Sequence, residues 1–170
     1  MGREQRFKNI SIPTVPKGVE VSGTVTSYGD ASEAVTVTLT KQGETAPAFT
    51  DTLTGASGSA PYSQTYSFPT VPAGEYTLKV MKQNHVTREY TVTVSAENVT
   101  QDVKIHLKGD INGDGKVNTS DVGKANSHAK GTSTLTGYDF ACADVNGDGK
   151  VNTSDVGKIN SHAKGTNKLW

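Results

Sequence analysis

The sequence predicts two domains, an all-β antiparallel sandwich followed by a small all-α unit, and three observations carry that reading. Apolar residues alternate with Thr, Ser and Lys from Val19 to Leu107, the period-two pattern of half-buried strands. Residues 110–132 and 144–166 are near copies, DINGDGKVNTSDVGKANSHAKGT and DVNGDGKVNTSDVGKINSHAKGT, which differ only at Ile111/Val145 and Ala125/Ile159. Within residues 109–170 every fixed cation is Lys and every acid is Asp, and six of those seven aspartates lie in the two copies. With 33% hydrophobic residues and 18 glycines the chain is too polar and too loop-rich for a long helical bundle.

Residues 1–17 read as a lead-in or linker, extended around Pro13 and Pro16. Residues 18–108 form the expected sandwich. Its strands fall at Glu20–Ser27, around Val35, Val37 and Leu39, at Phe49–Thr54, around Tyr66 and Phe68, around Tyr76, Leu78 and Val80, around Tyr90, Val92 and Val94, and around Val103, Ile105 and Leu107. Gly, Pro and Asn turns separate them, as two packed antiparallel sheets require. Within this stretch Phe68-Pro-Thr-Val-Pro-Ala-Gly-Glu-Tyr-Thr-Leu-Lys-Val80 resembles the hairpin of carboxypeptidase-regulatory-like, transthyretin-like domains. The resemblance implies an Ig- or transthyretin-like fold and says little about activity.

Residues 109–170 hold the chemistry. Each copy opens with D-x-N-x-D-G-x-x-N-x-x-D, which sets oxygen donors at positions one, three, five, nine and twelve, a backbone carbonyl at seven and a bend glycine at six. The first loop offers Asp110, Asn112, Asp114, the Lys116 carbonyl, Asn118 and Asp121. The second offers Asp144, Asn146, Asp148, the Lys150 carbonyl, Asn152 and Asp155. Crowded carboxylates repel unless a cation lies among them, and a ring of protein oxygens suits Ca²⁺ better than Mg²⁺. Two bound Ca²⁺ are therefore expected. Position twelve is Asp where an EF-hand has Glu, and the strand-like run Val103–Leu107 leaves no entering helix. Each unit is expected to be half an EF-hand, a loop and its exiting helix.

Those helices are expected over Thr119–Lys130 and Thr153–Lys164, capped by Asn118 and Asn152 with Asp121 and Asp155 closing a capping box. Val122, Ala125, Ala129 and Val156, Ile159, Ala163 recur at helical spacing and should pack together with Val117, Val151 and Phe140. So few side chains, at roughly 1.5–3 kcal/mol each, barely offset chain entropy, so a chelator is expected largely to unfold residues 109–170. The opposite faces carry Thr119, Ser120, Gly123, Lys124, Asn126, Ser127 and, in the copy, Thr153, Ser154, Gly157, Lys158, Asn160, Ser161. A mid-helix glycine costs about 1 kcal/mol against alanine, so its presence in both copies marks a place where another surface approaches the backbone.

Paired DxNxDGxxNxxD loops, each followed by a helix within about sixty residues, resemble a type I dockerin module. That resemblance implies docking onto a cohesin module of a scaffoldin in a secreted, cellulosome-type complex for polysaccharide degradation, and an extracellular location. It places recognition at Thr119-Ser120 and Thr153-Ser154 and at the later pairs Asn126-Ser127 and Asn160-Ser161. It also implies that the sandwich is an X module. Because the two faces match, a rotation of about 180° would present an equivalent surface.

Equal numbers of basic and acidic residues, 17 each, argue against a nucleic-acid partner, and no apolar run is long enough to insert in a membrane. No acid pair or triad points to an enzyme. A calcium sensor needs an entering helix that opens, which the first loop lacks. The alternative function is a glycan-binding sandwich tethered by the dockerin, with Tyr62 and Tyr66 on one strand face. His128 and His162, equivalent in the copies, receive no chemical role. Cys142 is expected to be a small buried hydrophobe, and Trp170 a clasp near Leu107.

Overall fold

A computed structural model describes residues 18–170; the expected lead-in, residues 1–17, lies outside the described residues. Eight strands come first: β1 (Val19–Ser27), β2 (Val35–Lys41), β3 (Phe49–Leu53), β4 (Tyr62–Val71), β5 (Gly74–Lys82), β6 (Arg88–Val94), β7 (Val99–Thr100) and β8 (Val103–Lys104). Three helices follow: α1 (Thr119–Ala129), α2 (Gly137–Ala143) and α3 (Thr153–Ala163). One sheet has the order β4-β1-β7 with β8 also on β1, and the other has the order β3-β2-β5-β6. Alternate residues of both sheets face inward, and Val21, Val25, Val37, Leu39, Leu78, Val80 and Ile105 are fully buried in one core.

The antiparallel expectation needs correction at one edge. Both β7 and β8 run parallel to β1, through Val21–Val99 and Val25–Val103. A chain arriving from β6 of the other sheet meets β1 in that direction, and only two residues of each short strand pair before it leaves. The Phe68–Val80 segment is also not a hairpin. Strand β4 pairs with β1 whereas β5 pairs with β2 and β6, so Pro72 and Ala73 carry the chain from one sheet to the other. Tyr76, nearly buried, holds this corner by donating its hydroxyl to the Pro72 carbonyl at 2.9 Å.

Past β8 the chain closes one end of the sandwich. Ile105 N–H donates to Thr26 O, Val86 N–H to His106 O and Lys108 N–H to Asn84 O. Val103, Ile105 and Leu107 are all buried, as their alternation requires, but the backbone bonds of this run are divided between β1 and the turn that joins β5 to β6. Lys108 and Gly109 then deliver Asp110 directly into the first acidic loop, with no helix between β8 and that loop.

Helices α1 and α3 pack on each other around Ala125 and Ile159, with Ile111, Val145 and Val151 beneath. Ala129 and Ala163 are only half-buried and lie outside that cluster. The helix between them, α2, was not expected. It supplies Cys142 and Ala143 to the small core, with Tyr138 and Phe140 packed against it.

Candidate functional site

Both acidic loops are built by their own side chains turning back onto the backbone. In the first, Asp110 Oδ1 accepts from Gly113 and Asp114 N–H at 2.8 and 3.2 Å, and its Oδ2 from Gly115 N–H at 2.9 Å. Asn112 Oδ1 accepts from Asp114 N–H, and Asp114 Oδ1 from Lys116 N–H. The second repeats the pattern with Asp144 onto Gly147, Asp148 and Gly149, Asn146 onto Asp148, and Asp148 onto Lys150. Both carboxylate oxygens of Asp110 and Asp144, and one each of Asp114 and Asp148, are thus held by amides that neutralise part of their charge.

The loops and helices are continuous through the caps. Asn118 accepts from Ser120 N–H at 2.8 Å while Asp121 Oδ2 accepts from Asn118 N–H at 2.9 Å. Asn152 and Asp155 do the same with Ser154 and Asn152 N–H. Asp121 and Asp155, both fully buried, therefore sit in the loop and in the first helical turn at once.

The two loops differ in their surroundings. Asp144, Asp148 and Asp155 bring one carboxylate oxygen each within 4.8 Å of the others, a spacing a metal ion could bridge. Among the described residues Asp110, Asp114 and Asp121 do not reach that spacing. Asp121 Oδ1 is committed to the amides of Ile111 and Asn112, at 2.8 and 3.2 Å, whereas Asp155 Oδ1 holds only Asn146 N–H, at 3.3 Å. The donors in both loops are hard oxygens, which fit a hard divalent cation.

The first loop is also covered by the sandwich. Tyr28, just past β1, donates its hydroxyl to the Gly113 carbonyl at 2.9 Å, and its ring lies over Gly115 so closely that a Cβ there would collide with it. The His106 imidazole covers Gly113 in the same way. On the far side Tyr138 of α2 donates to the Val86 carbonyl at 2.6 Å, accepts from His106 N–H and stacks under the Arg88 guanidinium. Gly147 and Gly149 of the second loop have no neighbour within 4 Å of an added Cβ. Burial raises the Asp110 carboxyl above its ordinary range against the pull of the Gly115 and Gly113 amides, and Asp121 and Asp114 add to the rise. Burial opposes the shift of Asp114, but hydrogen bonds from Asn112, Lys116 and Asn118 prevail and lower it.

Of the residues expected on the outer helix faces, Thr119, Ser120, Gly123, Lys124, Thr153, Ser154, Gly157 and Lys158 are exposed, and Asn126, Ser127, Asn160 and Ser161 half-buried. A Cβ at Gly123 or Gly157 would meet nothing within 4 Å. The backbone of each helix is bare at the same point.

His128, His162 and Trp170 behave otherwise than, or beyond, what the sequence leads one to expect. His128 Nδ1 accepts from Leu135 N–H at 2.9 Å and His162 Nδ1 from Leu169 N–H at 3.1 Å, so each histidine ties down the chain that follows its helix. The repeat offset carries this far, since Leu135 and Leu169 are also equivalent. The Trp170 ring lies tilted against His162, 4.5 Å between centroids, and is 42% exposed; Leu169, not Trp170, reaches the start of the first loop, against Gly109. Cys142 is buried, 3.8 Å from His106 Nδ1, and burial pushes its thiol up to about 12, which suits packing and not nucleophilic chemistry. Tyr66 is in the sandwich core with its hydroxyl on the Gln101 carbonyl, and Tyr62 lies beneath the Lys82 ammonium, so the pair forms no open stacking platform.

Comparison with known proteins adds two family matches. Residues 108–162 match the dockerin type I domain model, and residues 16–108 match the model of the BOS complex subunit NOMO1-like second beta sandwich domain. No curated protein matches the chain. Among solved structures, two mutants of a type II cohesin–X–dockerin complex from Acetivibrio cellulolyticus, altered at the N-terminal and the C-terminal interface, share 22% and 20% identity with this chain. Each alignment covers 84% of this chain and 93% of the other, with TM-scores of 0.38 and 0.37.

Proposed function

We propose, for a chain that belongs to the NOMO1-like second β-sandwich family over residues 16–108 and carries a dockerin type I domain over residues 108–162, a non-catalytic role in calcium-dependent protein assembly. Residues 109–170 act as the docking module and residues 18–108 as the X module that props it. The partner is a cohesin module of a scaffoldin outside the cell, and neither nucleic acid nor a membrane takes part.

Each loop is read as half an EF-hand holding one Ca²⁺. The ligands are Asp110, Asn112, Asp114, the Lys116 carbonyl, Asn118 and Asp121 in the first, and Asp144, Asn146, Asp148, the Lys150 carbonyl, Asn152 and Asp155 in the second. Bound calcium would neutralise the clustered carboxylates. Since Asp121 and Asp155 also cap α1 and α3, ordering the loops orders the helix starts, where Thr119-Ser120 and Thr153-Ser154 stand. Gly123 and Gly157 let a partner approach the backbone, with Lys124 and Lys158 at the rim and Asn126, Ser127, Asn160 and Ser161 further along.

The observation that carries this reading is one exposed polar face presented twice, on two helices whose first turns are fixed by loop carboxylates. Matching faces would allow docking in two orientations related by about 180°. Binding of the full chain to a panel of purified cohesins, with calcium and with chelator, tests it. Capture by one of them only in calcium is the expected result; failure to bind any, or binding unaffected by the chelator, would overturn it.

A further inference from the structure

The chain holds two Asn-Gly pairs at the same position of near-identical loops, Asn112-Gly113 in D-I-N-G-D-G and Asn146-Gly147 in D-V-N-G-D-G. A glycine after asparagine has no side chain to hinder its amide nitrogen from reaching the asparagine Cγ. Sequence alone would give both pairs the same reactivity. Several restraints are shared. Gly113 and Gly147 each donate N–H to the first aspartate of their loop at 2.8 Å. Each asparagine Nδ2 donates to the second loop aspartate at 3.0 Å and each Oδ1 accepts from that residue's N–H, and each asparagine N–H reaches the last loop aspartate, at 3.2 and 3.3 Å.

The remaining restraints act on one pair only. Gly113 is buried, its carbonyl is held by the Tyr28 hydroxyl at 2.9 Å, and the His106 ring covers its Cα. Ile111 N–H is held by Asp121 Oδ1 at 2.8 Å, whereas Val145 N–H turns to the Ala143 carbonyl. Asn146 is exposed, as Asn112 is, but Gly147 is exposed too, and nothing lies within 4 Å of a Cβ built on it.

We infer that Asn146 is a site of spontaneous backbone-assisted deamidation and that the sandwich protects Asn112 from the same reaction. The Gly147 nitrogen loses its proton to solvent base and attacks Asn146 Cγ. A C–N bond forms, the bond to the side-chain amide nitrogen breaks, and that nitrogen leaves with the protons it takes from water as ammonia. Water then opens the cyclic imide at either carbonyl, giving aspartate or isoaspartate. Isoaspartate adds a methylene to the backbone and removes the Asn146 Oδ1 that now accepts from Asp148 N–H at 2.9 Å. The second loop is thereby altered in the third of its twelve positions while the first stays intact. The inference rests on protein packing and not on the docking reading.

The test is to age the folded full chain at mildly alkaline pH and to digest it with trypsin, which releases Asn112 in residues 109–116 and Asn146 in residues 131–150. Mass spectrometry then follows the amide-to-acid conversion in each peptide. Breaking one further buried hydrogen bond to free Gly113 sets the expected ratio at about tenfold in favour of Asn146, the equivalent of about 1.4 kcal/mol of barrier. In concentrated urea the two rates should become equal, because the flanking residues nearly match. Tyr28→Phe in the folded chain should raise the Asn112 rate and leave Asn146 unchanged. Equal rates in the folded chain, faster conversion of Asn112, or no conversion of Asn146 over a period in which the urea-unfolded chain converts would each overturn the inference.

Discussion

Removing the Tyr28 hydroxyl should weaken the first loop and leave the second alone. Tyr28 is 6% exposed, its ring sits on Gly115 and its hydroxyl on the Gly113 carbonyl. In Tyr28→Phe the ring stays and the carbonyl is left buried without its donor, at a cost of about 1–3 kcal/mol. In Tyr28→Ala the ring is lost as well, which by comparison with other buried aromatics costs about 3–5 kcal/mol. Where ion uptake and loop folding are one process, that cost comes out of binding at the first loop, and each 1.4 kcal/mol weakens it about tenfold. The assay is calorimetric titration of calcium into the metal-stripped full chain and its two variants. One of two binding steps should weaken in Tyr28→Phe and weaken further in Tyr28→Ala. Equal weakening of both steps, or none in Tyr28→Ala, would refute the claim that the sandwich supports the first loop alone.

Stability should fall with acid through His85. Burial, partly offset by the Gln83 carbonyl and reinforced by Lys82 and His106, pushes its pKa down from 6.5 to about 4, and its ring accepts from Tyr28 N–H at 3.2 Å. Below 6.5 the unfolded chain takes up a proton that the folded chain refuses, so this contribution is full above pH 6.5 and is lost as pH falls toward 4. Allowing for partial exposure the loss is about 2 kcal/mol, and urea midpoints of His85→Asn should depend less steeply on pH over that window than those of the parent. For the paired helix faces, replacing Thr119-Ser120 or Thr153-Ser154 alone should change cohesin affinity by less than about threefold, and replacing both pairs should abolish it. A large loss from either single replacement would remove the two-orientation reading.

The features legible in the sequence were those written locally. Strand positions, both loop-helix units and their capping boxes follow from periodicity and from side chains that bond within a few residues. Helix α2 escaped because it has seven residues and its cap, Thr136, makes no side-chain bond to it; only Phe140 and Cys142 hinted at a buried surface. The parallel pairing of β7 and β8 and the corner between β4 and β5 depend on which sheet a strand joins, which alternation does not encode. The asymmetry of the two loops was invisible for a related reason. It arises from Tyr28 and His106, two residues outside the repeat, acting on glycines the copies share. The roles of His128 and His162 could have been found by extending the repeat to Leu135 and Leu169.

The central claim is that divalent ions held by the duplicated loops organise the helices into a docking surface. Calcium titrated into the metal-stripped full chain, with helix content followed by circular dichroism in the same samples, tests it most directly. Stoichiometric uptake at two sites with a parallel gain in helix is predicted. No stoichiometric uptake, or helix content indifferent to calcium, would contradict it.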